Sequence, residues 1–163
     1  MRLRAARAVV LALALATFGS AGAAPVTPTT RSLWDYWSPV NAVVLFTTDA
    51  DRLGYAVLQH ATGQVTVLPG EPTLAPDRQR LAVADFCRDH CDNQVSVWRI
   101  ARDGIRRELA WRPGARWSDV TVQWKDAETL RLEYTHEGAD KSSTVDRSLA
   151  DATWQRSGAR SAP

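Results

Sequence analysis

Apolar and polar positions alternate along most of the chain with a period of two, the spacing that puts one face of a strand into a core. The cleanest example runs from Val120 through Val122 to Trp124, and a second pairs Leu130, Leu132 and Tyr134. Short strands are predicted at residues 43–46, 55–60, 65–68, 81–86, 95–100, 105–111, 120–124 and 130–134. Residues 142–154 read as a strand, or as a short helix from Asp146. Each segment is closed by Gly, Pro, Asp or Asn, and Asp103-Gly104 between Ile100 and Ile105 is a hairpin signal. Beyond the N-terminal segment no stretch sustains a 3.6-residue period. About nine short strands without helices predict an all-β, antiparallel domain.

The strands fall into hairpin units about 40 residues apart, at residues 40–72, 73–114 and 115–154. In the second unit Pro76 and Asp77 form a turn that leads into an apolar strand at Leu81 and Ala82. Residues 74–83 resemble the repeat of TolB-like and WD40-like β-propellers, whose blades carry a Ser-Pro-Asp-Gly turn before a Leu-Ala strand. Ala75 stands at the serine of that pattern and Arg78 at the glycine. The third unit keeps the turn at Asp126 and the strand at Leu130. The resemblance implies three blade-like hairpin units. A closed propeller has four to eight blades, so the expectation is a partial propeller or small sandwich, with a ring closed by two chains as the next alternative.

The first 23 residues differ in kind. They hold Arg2, Arg4 and Arg7, no acid, a nine-residue apolar run at 8–16, and Ala21-Gly22-Ala23. A basic start, a short apolar stretch and an A-x-A site describe an export signal. The run falls short of the roughly 20 residues a membrane-spanning helix needs. The remaining 140 residues balance 17 bases against 18 acids, so the precursor's +2 belongs to the leader. The expected organisation is a signal peptide at 1–23, a Pro/Thr tether at 24–32, one β domain at 33–156 and a disordered tail at 157–163. The expected product is periplasmic or secreted, without stable membrane insertion. A nearly neutral domain gives no electrostatic reason to expect nucleic acid as a partner.

An exporting destination changes how Cys87 and Cys91 are read. Two cysteines four positions apart favour a disulfide in an oxidising compartment. A metal site of Cys87, His90 and Cys91 would lack a second ligand pair at matching spacing. The stapled loop carries Arg88, Asp89, His90, Asp92 and Asn93 between two strands, which makes these residues candidate partner contacts. Trp34, Tyr36 and Trp37 precede the first predicted strand and either pin the N-terminus to the sheet or present a second contact patch. Of the seven tryptophans, Trp98, Trp111 and Trp124 share faces with apolar neighbours and are expected in the core.

No nucleophile elbow, zinc-protease helix motif or glycine-rich phosphate loop is present, and no cofactor is expected. Arg112 and Arg116 offer an anion or acidic-partner contact, and Glu133/Glu137 is one of several spaced carboxylate pairs. The expected function is therefore a non-catalytic protein-binding module, of the inhibitor or immunity type, with homodimerisation among its assemblies. The alternative is a periplasmic hydrolase or carbohydrate-active domain using paired carboxylates and exposed tryptophan.

Overall fold

The structure, a computed structural model, describes residues 30–49, 52–87 and 91–157. The expected leader at 1–23, most of the expected tether and the residues after 157 lie outside the described residues, as do Arg88, Asp89 and His90. The described chain is all-β, with three antiparallel sheets.

Sheet I orders its strands β1-β2-β3-β4: β1 (Thr30–Trp37), β2 (Ala42–Asp49), β3 (Arg52–Gln59) and β4 (Val65–Leu68). Sheet II is built from β5 (Pro72–Leu74), β6 (Arg80–Asp85), β7 (Gln94–Ala101) and β8 (Gly104–Trp111). Sheet III contains β9 (Trp117–Trp124), β10 (Thr129–His136) and β11 (Ser142–Ser148). The chain then returns, and β12 (Gln155–Arg156) pairs with β8 on the edge of sheet II. Each predicted hairpin unit thus corresponds to one sheet. Twelve strands replace about nine because β1, β5 and β12 join those expected. The segment from 142 is strand through Ser148 rather than helix.

Strand periodicity explains how the sheets stack. On β6, Leu81 and Val83 pack with Trp37, Ala42, Val44, Val57 and Leu68 of sheet I. Ala82 points the opposite way and packs with Val122, Leu130 and Leu132 of sheet III. Val95, Val97 and Leu109 join it there, while Trp98 and Ile100 turn towards sheet I. Sheet II is therefore the middle layer, buried on both faces. Consecutive residues of β6 and β7 are accordingly buried whichever face they point to: Leu81, Ala82 and Val83 on β6, and Val95, Ser96 and Val97 on β7. The expected core tryptophans Trp98, Trp111 and Trp124 all pack against the two clusters.

The turn that resembles a propeller repeat adopts the geometry its pattern requires. Arg78 donates its backbone N–H to the Ala75 carbonyl at 2.9 Å, Gln79 N–H meets Asp77 Oδ1 at 2.9 Å, and Ala75 N–H meets the Arg80 carbonyl at 2.9 Å. Arg78 has φ 61°, the left-handed region for which the repeat uses glycine.

Candidate functional site

Where sheets II and III end beside the cysteine loop, the surface opens into a recess of about 410 Å³. The loop forms one wall. Cys87 and Cys91 are disulfide-bonded, with 5.4 Å between their Cα atoms. Asp85 braces the loop from the end of β6: its Oδ2 accepts the Asp92 backbone N–H at 3.1 Å. Gln94 Nε2 donates to Asp92 Oδ2 at 2.9 Å, and Arg112 approaches Asp92 Oδ1 at 3.5 Å. Burial pushes the Asp85 carboxyl above its ordinary pKa; the Asp92 N–H acts against that shift and the Asp92 charge adds to it.

The opposite wall begins at β9. Two residues there, Asp119 and Val120, stand opposite the single residue Tyr134, because the β9–β10 register shifts between Glu133 and Thr135. This β-bulge puts Asp119 at φ 49°, a left-handed conformation that aspartate accepts more readily than most residues. It brings Arg116, Ser118 and Asp119 to the rim. Ser118 Oγ and Asp119 Oδ2 lie 3.3 Å apart. Glu137 and Gly138, from the turn after β10, complete the lining, and Glu137 N–H is tied to the Arg116 carbonyl at 3.2 Å.

Behind the polar rim stands a column of rings. Trp117 stacks on Tyr134 with centroids 3.6 Å apart and planes 11° apart, and on Phe86 at 6.0 Å. His136 meets Tyr134 edge-on at 5.2 Å. Trp111 lies 5.3 Å from Trp117 and carries the Arg147 guanidinium 3.7 Å above its face. Phe86 and Trp117 line the recess and are half-buried. The floor is thus a rigid aromatic surface held by the core. The rim offers one cation, two carboxylates, a hydroxyl and the Asn93 amide. Such a set recognises a ligand through hydrogen bonds and ring contact. Among the described residues no three His, Cys, Asp or Glu side chains gather as a metal site.

The candidate contact residues separate into two places. Asn93 lines the recess, and Asp92 lies one residue away in the hydrogen bonds that hold the loop. Trp34, Tyr36 and Trp37 lie on β1 of sheet I, across the middle sheet from the recess's sheet III wall. Trp37 is buried in the core, with Nε1 donating to Asp35 Oδ2 at 3.0 Å. Trp34 packs edge-on against Tyr55 at 5.6 Å and donates to Glu71 at 3.2 Å. Tyr36 is half exposed, its hydroxyl 3.1 Å from Asn41 Oδ1.

The sequence reading did not single out Trp117, Ser118 or Asp119. A signal was present: the apolar positions of β9 are Trp117, Val120, Val122 and Trp124, so the spacing changes from three to two where the bulge lies. Comparison with known proteins adds no assignment, since no family model, curated protein or solved structure matches the chain. No helix among the described residues is long and apolar enough to cross a membrane.

Proposed function

We propose that this is an exported, non-catalytic protein-binding module whose contact site is the recess beside the disulfide loop. The supporting observation is the convergence there of a braced loop, an aromatic floor and a mixed-charge rim contributed by three separate chain segments. Binding sites concentrate in such places because a rigid β scaffold fixes the loops at small entropic cost. Arg and Trp are the side chains that most often dominate interface energetics. The basic leader and the disulfide fit an oxidising, extracytoplasmic compartment.

The reading is tested by site-specific photocrosslinking in the native host. A photoreactive residue at Ser118 is expected to give one discrete protein adduct. The same residue at Glu128, in the distant β9–β10 turn, gives none. Charge reversal at Arg116→Glu or Glu137→Lys is expected to reduce the Ser118 adduct about tenfold, the effect of losing one interface anchor. No adduct at Ser118, or identical adducts at both positions, overturns the proposal.

One observation favours the second reading. Asp119 and Glu137, two carboxylates, share the recess with the half-buried Trp117, the combination a carbohydrate-active site uses. Titrating Trp fluorescence with cell-wall oligosaccharides separates the two. A saturable change lost in Asp119→Asn supports the carbohydrate reading, and a flat titration ends it.

A further inference from the structure

The two outer faces of the sheet stack differ in chemistry. The strand registers resolve the face of sheet I turned away from the core into complete rows. Leu33, Leu45, Ala56 and Val67 face one another across the four strands, and Tyr36, Val43, Leu58 and Val65 form the next row. All eight are apolar or aromatic. Leu33 is 69% exposed, Val67 70%, Tyr36 52% and Val65 40%. On the outward face of sheet III the corresponding rows are Gln123, Arg131 and Asp146, then Thr121, Glu133 and Thr144. Arg131 and Lys125 pair with Asp146 there at 2.8 and 2.9 Å. Sheet III ends the stack as a solvated surface, whereas sheet I ends it as an apolar one that no other described residue covers.

We infer that the outer face of sheet I is a homodimer interface, covered by the same face of a second copy. Three observations select this occupant. First, the two rows carry no charge, so the self-complementary contact of a two-fold axis, in which one residue meets another and the reverse, brings no like charges together. Second, the other way of joining copies, sheet I of one against sheet III of the next, sets apolar rows against the Arg131–Asp146 pair and propagates without closing. The face-to-face pair closes and leaves both charged sheet III faces outermost. Third, the area fits a weak dimer. Two rows across four strands about 4.8 Å apart cover roughly 250 Å² in plan on each copy. With side-chain relief the pair buries on the order of 600 Å², the small end of transient interfaces.

The free edge of β1 is a poorer meeting place. It is broken by a bulge between Leu33 and Asp35, and the Tyr36 N–H is taken by Asp35 Oδ1 at 2.7 Å. Both features blunt pairing at a strand edge.

The test is sedimentation velocity of the purified mature protein from about 1 to about 200 µM, a range matched to a weak interface. The mass is expected to rise from monomer towards dimer. Leu33→Asp and Val67→Asp each place an unpaired charge in the apolar contact, at opposite ends of one row, and are expected to raise the dimer dissociation constant tenfold or more. Both positions are about 70% exposed, so the thermal midpoint should hold and a folding defect is recognised by its loss. Glu133→Lys, on sheet III, leaves the dimer unchanged. A strict monomer throughout, as when residues 24–29 of the same chain cover the face, overturns the inference. So does a dimer insensitive to both aspartates. This surface is separate from the recess, so crosslinking at Ser118 stands or falls on its own.

Discussion

Trp154 is the residue by which the end of the chain locks sheet III onto sheet II. It is 5% exposed within the cluster of Val95, Val97, Leu109, Leu130 and Leu132. Its ring meets Trp111 edge-on at 6.5 Å, and Nε1 donates to the Ser148 carbonyl at 2.8 Å. Trp154→Ala removes the largest side chain of that cluster. A buried Trp→Ala change costs about 3–5 kcal/mol in transfer and cavity terms. Trp154→Phe keeps most of the packing and removes the hydrogen bond, a loss of about 1–2 kcal/mol. For a domain of roughly 130 residues the unfolding entropy near the midpoint makes 1 kcal/mol worth about 4 °C, so alanine should lower Tm by about 12–20 °C and phenylalanine by about 4–8 °C. Urea titration followed by far-UV circular dichroism measures both, with an unchanged m-value confirming that the same surface unfolds. Native-state hydrogen exchange should show Ala110, the partner of Gln155 on β12, losing protection first in the alanine variant. A cost below 1 kcal/mol for Trp154→Ala, or equal costs for the two variants, would refute the role given to this side chain.

Two further outcomes follow from local geometry. The Arg131 and Lys125 side chains beside Asp146 hold its carboxyl well below the usual carboxylate range. Its contribution is therefore complete above about pH 4 and lost on further acidification. Asp85 has the opposite sign: its raised pKa means stability declines as pH rises from about 4 through its folded value. Thermal melts from about pH 2 to 7 should lose the acid-side drop in Asp146→Asn and the opposing slope in Asp85→Asn; profiles identical to wild type would contradict both. Arg78→Gly should raise stability by about 0.5 kcal/mol by relieving the left-handed φ, and Arg78→Val should cost more than about 1 kcal/mol. Equal urea midpoints for all three would show that the turn is not built as described.

The architecture was legible because burial in β-sheets is written in alternation and turn residues. The spacing of the hairpin units matched the division into three sheets, and the expected turn at Pro76-Asp77 forms with Arg78 in the left-handed region. The additional strands escaped for identifiable reasons. β1 is exposed along seven of its eight residues, and its bulge places Trp34 out of phase, so no alternation marks it. β5 and β12 have three and two residues, too few for any period. The recess was only partly legible. The cysteine spacing pointed to the loop, but Arg116, Trp117, Asp119 and Glu137 come together through a register shift between strands, and cross-strand register is a long-range property. The apolar outer face of sheet I was hidden for the opposite reason. Val43-Val44-Leu45-Phe46 on β2 is a continuous apolar run, and only the pairing shows that alternate positions point away from the core.

The short β12 also bears on the order in which the molecule can assemble. Among the described residues every other strand pairs with a sequence neighbour, so sheet I, β5 to β8 and sheet III can each form as a local event with a small loop-closure cost. The β8–β12 pairing is the exception: Leu109 and Ala110 wait for Arg156 and Gln155, about 45 residues further along. Until then one margin of the central layer is an open template for other strands. The last two paired residues thus act as a latch. Until it closes, the folding chain is most exposed to mispairing along that margin.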